Sequence, residues 1–510
     1  MIASAVRRAT RIGDVAGRDR LLLAAPSTRV RHIAALATGI GLVALLEVLI
    51  RERGEGGWSA FGRLTWTLAL LIAVVTVTRG LSLGRPVVGA HAVLAVAMLA
   101  TGLAAHVLGR GIVGDVLVVS AAVVLTWPAP SPFDPKDGAR VRPLVAETED
   151  DPLAPFAVAS TKRVFFGVDG SAAVTYHTRV GVAVVSGDPV GDPEAFPAVV
   201  DQFATMCREL GWRIAVLGCS ERRLGLWRGA AVAGQRLKAV PIGRDVVIDV
   251  ESFTMQGRAF RNLRQAVRRT EHSGVTTELL REDRLTRSQR RELEAVVRDS
   301  HRQWRFERGF SMTLDHALEG RYPSVVLMVA RDRHGTAQAF QRYALAGSGS
   351  DVSLDIGWRR PGTPNGIDER MTIDMVSWCR ERGVKRMSLA FAPFPELFES
   401  DHRTVALRIA YRLTHVADPL IKLESLYRYL RKFHALGAQR YVLVPMWHLP
   451  TAVVALISLE FMPRAKKRGH PQTEVPGDRA FLRPIGVTTA PLRRGLLEVL
   501  RTGIDDRFRG

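Results

Sequence analysis

Cysteine is nearly absent from this chain of 510 residues. The three that occur, Cys207, Cys219 and Cys379, form no CxxC pair and no Cys/His ligand spacing. That excludes a disulfide framework or a zinc ribbon, and it points to reduced thiols in a cytoplasmic domain with no metal. Aromatic residues are sparse at 7%, and acidic side chains are outnumbered, 50 against 71 Lys+Arg. The N-terminus lacks the arrangement of a cleavable signal and runs instead into a long apolar span.

What is present is positive charge and apolar length. A formal charge of +21 favours polyanionic partners, RNA or an anionic bilayer surface, unless it serves only solubility. The length implies two or three units. Ile33 to Ile50, Leu64 to Thr78, Pro86 to Leu108 and Ile112 to Trp127 are apolar runs at or just under the roughly 20 residues that cross a bilayer. Residues 1–127 are therefore expected to be an α-helical transmembrane region of about four helices. Seven arginines precede the first run, so the N-terminus is expected inside, and four crossings return the chain to the cytoplasm. Three arginines between the first two runs, Arg51, Arg53 and Arg63, argue the other way. The expected location is the cell membrane, multi-pass, with the soluble part cytoplasmic.

Residues 128–143, with five prolines, read as a linker. A first lobe is expected over 144–255. Phe165 to Val168, Ala172 to His177 and Gly181 to Ser186 read as a meander whose first turn is Asp169-Gly170. Asp188, in Gly187-Asp188-Pro189, reads as a turn residue. A second lobe is expected over 256–440. It opens with Gln256 to Ser273, a helix with Phe260, Leu263 and Val267 on one stripe and Arg258, Arg261, Arg264, Arg268 and Arg269 elsewhere. Such a helix offers guanidinia to phosphate or is simply a solvated basic face. Residues 441–468, apolar but holding Pro445 and Pro450, suit an interfacial or membrane-associated segment. Residues 469–510 read as a polar tail.

Between Asp351 and Phe394 the pattern is strand, Gly/Pro loop, helix, strand, with Asp355 on the strand, Arg359 and Arg360 after it, and a helix N-terminus facing the same space. On pattern alone this fits a site or an ordinary β–loop–α unit. The run Ser353, Leu354, Asp355, Pro361, Pro364, Asn365, Gly366, Glu369, Ala392 and Pro393 resembles the C-terminal catalytic domain of the phosphatidylglycerol lysyltransferases, or multiple peptide resistance factors. One position departs from that pattern: Trp358 stands where the family carries an arginine, with Arg359 and Arg360 displaced beside it.

The resemblance implies an α+β fold of tandem GNAT-like lobes that moves an amino acid, lysine above all, from aminoacyl-tRNA to the phosphatidylglycerol headgroup. It implies no cofactor, because the tRNA ester is already activated. Asp355 is then expected as proton acceptor, and Arg359 and Arg360 as holders of phosphate or oxyanion. Glu369 is expected to recognise the α-amine or to complement a helix dipole. Trp304, Phe310 and Ser311 resemble the family's Trp…Gly-Phe-Ser segment, which would line an aminoacyl or adenine pocket or else lie in the core. The basic helix would meet the tRNA acceptor arm or lipid phosphate. Two other classes stay open. An acyl-CoA-dependent GNAT acetyltransferase needs an Arg/Gln-x-x-Gly-x-Gly/Ala turn, of which Arg380 to Lys385 is only a near miss. A non-catalytic membrane-anchored RNA- or lipid-binding protein is the other.

Overall fold

The computed structural model describes residues 22–23, 28–51, 58–129, 131–132, 134–228, 235–301, 313–393 and 423–461. Trp304, Phe310, Ser311 and the tail from 469 lie outside the described residues. Four apolar helices come first: α1 (Thr28–Arg51), α2 (Trp58–Ser82), α3 (Gly89–Val107) and α4 (Gly111–Leu125). None has an internal proline, so each backbone ladder runs unbroken. Helix α1 rests on α2, and both α2 and α3 rest on α4. The α3–α4 contact depends on glycine, since a Cβ on Gly114 would lie 2.8 Å from the Gly102 carbonyl oxygen. Leu36, Ile40, Val96, Leu103 and Val116 point outward and exposed, an apolar girdle of the kind that lipid covers. Leu64–Ser82 and Gly89–Val107 are long and apolar enough to cross a bilayer, and Gly111–Leu125 is a shorter apolar helix.

The stretch expected as a linker holds the first turns of α5 (Asp137–Glu147). Its apolar residues fall at Val141, Leu144 and Val145, a helical stripe that is buried, and the helix tolerates Pro143. The first lobe continues with β1 (Arg163–Phe166), β2 (Ala172–Arg179), β3 (Val182–Ser186), α6 (Phe196–Glu209), β4 (Arg213–Ser220) and β5 (Leu237–Asp249). The second contains α7 (Arg261–His272), β6 (Thr276–Arg281), α8 (Arg287–His301), β7 (Val325–Arg331), β8 (Ala337–Ala346), β9 (Asp351–Arg359), α9 (Ile367–Glu381) and β10 (Arg386–Pro393). Helix α10 (Leu423–Arg431), β11 (Leu436–Pro445) and α11 (Leu449–Phe461) follow.

Among the described residues these strands form one sheet in the order β1-β2-β3-β4-β11-β5-β10-β9-β8-β7-β6, with Val190–Gly191 added beside β2. Neighbours are antiparallel except β3/β4 and β9/β10, each joined by a helical crossover, α6 and α9. Each half thus repeats a meander ended by one parallel pair, and the α+β architecture is two GNAT-like lobes sharing a sheet. Helices α7, α9 and α10 cover one face of the second lobe and α8 the other, while α6 covers the first lobe.

Two expected boundaries move. Strand β11 runs through residue 440 and inserts between β4 and β5, so the first lobe is completed by chain that follows the second. The segment expected as interfacial therefore begins inside the sheet. Beyond it, α11 buries Ala455 and Leu459 on Val182, Val184 and Ala215, and leaves Val453, Val454 and Ile457 exposed. Helix α7 starts at Arg261 rather than Gln256, because Gly257 at φ +83° turns the chain and Arg264 Nη1 donates to the Gly257 carbonyl at 2.8 Å.

Candidate active site between the lobes

The β8–β9 register slips at Asp355. Arg342 faces Ile356 and Tyr343 faces Leu354, so Asp355 is the extra residue of a β-bulge. Its side chain is buried, with Oδ2 accepting from Arg342 Nη1 at 2.6 Å and Oδ1 from the Leu314 N–H at 3.1 Å. Arg342 is equally buried. It also donates to Glu282 Oε2 at 2.9 and 3.2 Å and to the Leu314 carbonyl at 3.0 Å. Glu282 accepts from the Leu318 N–H as well. Burial pushes the Asp355 carboxyl up to about 6, against the pull of Arg342. Both its oxygens are engaged, and Asp355 does not border the cavity described below. It anchors the chain at Leu314 instead.

The other expected residues do not converge on Asp355. Arg359 pairs with Asp368 on α9 at 3.1 Å, and Arg360 lies 3.4 Å from Asp299 on α8. Glu369 is buried and holds Lys432 Nζ at 2.5 Å, tying α9 to the end of α10, so its carboxylate is already engaged by a cation. Trp358 is buried against Phe340 with ring centroids 4.9 Å apart, beside Leu293 and Val296 of α8. An arginine there would meet apolar side chains. On α7 and the turn before it, Arg258, Arg261, Arg268 and Arg269 are exposed, whereas Arg264 turns back to the Met255 and Gly257 carbonyls.

The groups that do converge lie where the lobes meet. A cavity of about 340 Å³ opens among β4, β11, β5, β10 and β9, bordered by Ser220, Asp245, Asp351, Ser353, Arg386 and Arg440. Asp351 opens β9 and takes a bidentate contact from Arg386, Nε at 2.6 Å and Nη2 at 2.9 Å, with Ser350 Oγ at 2.9 Å. Burial, with Glu149 and Asp151 nearby, pushes Asp351 up to about 6 while the Ser350 hydroxyl and Lys385 oppose the rise. Arg440 sits fully buried in β11, 2.7 Å from Asp245, 2.8 Å from Asp151 and 3.6 Å from Asp188. Burial raises the carboxyls of Asp245 and Asp188 against that guanidinium. Asp151 Oδ2 and Ser220 Oγ are buried with no hydrogen-bond partner. Three carboxylates thus gather on one guanidinium, while the cavity beside them is bordered by Asp150, Asp245 and Asp351 and by Arg222, Arg386 and Arg440. Of these residues Asp188 was read as a turn residue; its Oδ1 in fact accepts from the Ser220 N–H at 3.0 Å. The signal that could have found the node is Arg440, the single charged residue of its strand.

A family model described as "Phosphatidylglycerol lysyltransferase, C-terminal" matches residues 142–444, more than half of the chain. This chain belongs to that family. Like other phosphatidylglycerol lysyltransferases it is an aminoacyltransferase that associates with membranes and acts on phospholipid. It is 49% identical over 450 residues to the MprF-like domain protein Rv1619 of Mycobacterium tuberculosis, covering 88% of this chain and 93% of that protein. The lysylphosphatidylglycerol biosynthesis bifunctional protein LysX of Mycolicibacterium gilvum is 30% identical over 468 residues, 89% of this chain but 40% of LysX. The chain therefore spans less than half the length of that relative. Among solved structures, a C-terminal domain assigned to lysylphosphatidylglycerol synthetase of Agrobacterium fabrum superposes with a TM-score of 0.56 at 22% identity, over 66% of this chain and 99% of that one. The L-PGS structure from Bacillus licheniformis gives 0.55 at 20% identity, over 65% and 98%. At those identities the likeness is one of fold.

Proposed function

We propose that the protein transfers an aminoacyl group, lysyl first among them, from aminoacyl-tRNA to phosphatidylglycerol at the inner face of the cell membrane, with the transfer in the cavity between the lobes. The observation that carries this reading is the mixed border of that cavity, where Asp245 and Asp351 suit the ammonium groups of a lysyl ester and Arg222 and Arg386 suit a phosphate or an oxyanion. The donor ester needs no further activation. The headgroup hydroxyl attacks the ester carbonyl and gives its proton to the Asp351 carboxylate. The tetrahedral intermediate then collapses, the new ester forms, and the tRNA ribose oxygen leaves and takes up that proton. Arg386, held against Asp351, supplies positive charge for the oxyanion or the lipid phosphate. Exposed arginines on α7 provide phosphate contacts for the RNA.

The same reading takes all four helices α1–α4 as crossings. The ends of α2 and α4 and the start of α3 lie on the side of the first lobe, whose core includes Val88 and Ala129 from the connecting segments. A short weld of this kind keeps the transferase at the bilayer surface, where its lipid acceptor is.

The test supplies membranes containing the protein with labelled lysyl-tRNA or labelled acetyl-CoA and extracts the lipids. Label entering lipid from lysyl-tRNA alone, and lost in Asp351→Asn, supports the reading. Label from acetyl-CoA, or none from either donor, sinks it.

A further inference from the structure

A second charged site lies on the opposite side of the first lobe, at its junction with the membrane helices, and none of its residues borders the transfer cavity. The segment linking α2 to α3 crosses the lobe at Gly211, where an added Cβ would lie 2.6 Å from the Arg85 Cα. Arg85 donates from Nη1 to the Thr126 carbonyl at 2.9 Å, and its guanidinium lies over Gly181, 2.8 Å from where a Cβ would be. Arg213 opens β4 two residues beyond Gly211, and Arg79 stands exposed in the last turn of α2. His448 leads into α11.

The three arginines and the imidazole share a neighbourhood, and among the described residues none of them has a carboxylate partner. Burial, then Arg79 and Arg213, holds Arg85 below its ordinary value. Burial, then Arg213, Arg79 and Arg85, lowers His448. Arg85 Nε and Arg213 Nε are both buried with no hydrogen-bond partner. Two orphaned guanidinium N–H groups amid uncompensated positive charge call for an anion.

The surroundings identify which anion. Beside Arg213, α11 packs on Val182, Val184 and Ala215 and turns Val453, Val454 and Ile457 outward, with Met446 and Leu449 exposed at its start. Trp127 and Val180 are also exposed, and they flank the Pro128–Gly181 contact. Such apolar side chains around a cationic centre match a phosphodiester that carries acyl chains.

We propose that Arg79, Arg85, Arg213 and His448 form a seat for the phosphate of an anionic phospholipid of the inner leaflet, whose chains lie along the outward face of α11. The proposal rests on reading α2 to α4 as membrane spans, but not on the transfer reaction. The seated lipid fixes the tilt of the lobes on the bilayer and is not the acceptor in the cavity.

The full-length protein, purified in neutral detergent, is tested by native mass spectrometry with phosphatidylglycerol, with phosphatidylcholine, and with inorganic phosphate as competitor. The protein is expected to retain phosphatidylglycerol over phosphatidylcholine and to keep it against excess phosphate. Arg79→Gln with Arg213→Gln is expected to cut that occupancy by about tenfold, the scale of losing charge-assisted contacts. Arg79→Gln alone, at an exposed position, should lower it severalfold with the unfolding temperature unchanged. Equal retention of phosphatidylcholine, wild-type occupancy in both variants, or displacement by inorganic phosphate would each overturn the proposal. Retention is read without tRNA or turnover, so it stands or falls separately from the transfer assay.

Discussion

Arg342 and Arg440 are both sealed from solvent in the same sheet, and each is outnumbered by its carboxylates. They are nevertheless different devices. Around Arg342, Asp355 gives one oxygen to the guanidinium and the other to the Leu314 N–H, while Glu282 binds the guanidinium and the Leu318 N–H. That node is closed, and it pins residues 314–318 to the second lobe. Around Arg440 three aspartates gather, one oxygen of Asp151 finds no donor, and Arg440 and Asp245 border a cavity. A buried ion cluster with every acceptor satisfied holds a fold together, whereas one whose members border open space can also meet a ligand.

The sharpest way to break this comparison is Arg342→Met. Removing the guanidinium strands Glu282 and Asp355, an expected loss of about 3–5 kcal/mol at neutral pH in chemical denaturation. The loss should shrink on acidification. Arg342 holds the Asp355 carboxyl down to about 6 against its burial, so without the guanidinium that carboxyl takes up its proton at higher pH, and the variant gains on the parent as pH falls towards 6. A variant as stable as the parent at neutral pH would mean the node holds nothing. Somewhat smaller is Trp358→Arg, which restores the family's residue type. It would set a guanidinium among Phe340, Leu293 and Val296, for a cost of roughly 3 kcal/mol in the same assay. Unchanged stability would show that the site can take up the charge after all.

Those two positions also show where the sequence could be read and where it could not. The turn Asp169-Gly170, the helix from Ile367 with Gly383 after its end, and the alternating apolar strands are local signals, and each lies where its pattern predicts. Gly366, at φ +103° and packed on Ala266, keeps the loop before α9 as expected from its glycine. The cavity was not legible. It joins Asp150, Ser353 and Arg440, far apart in the chain, and depends on β11 entering the first lobe from beyond the second. Asp355 attracted attention because the family motif surrounds it, but a β-bulge, invisible in one strand's sequence, turns it toward Arg342. Asp351, four residues earlier, carried no motif of its own.

At the open node the effect is expected on rate rather than on stability. Asp351→Asn keeps at most one of the two hydrogen bonds from Arg386 and cannot accept a proton, so transfer should fall by about a hundredfold or more, against a stability loss of only about 1–2 kcal/mol. In the parent, transfer should fall as pH drops through about 6, where Asp351 takes up its proton. A flat profile down to pH 5, or an active Asn variant, would remove Asp351 from the reaction.

The mildest test contrasts both buried nodes with arginines that have no carboxylate at all. Arg261 and Arg268 on α7 are exposed, and among the described residues neither has an ion-pair partner. Arg269 reaches only the Asn365 carbonyl, at 3.5 Å. Replacing all three with Gln should leave stability within about 0.5 kcal/mol, because exposed groups without partners contribute little to folding. Binding of tRNA should weaken at low salt, and the slope of log affinity against log salt should flatten by about 2, since each phosphate left unneutralised keeps roughly 0.7 of a counterion that binding would otherwise release. Asp351→Asn should leave that slope unchanged, since the cavity binds the aminoacyl end and not the phosphate backbone. If the triple variant binds tRNA with the parent's salt slope, the basic face of α7 is a solvated surface, and the RNA meets the protein elsewhere.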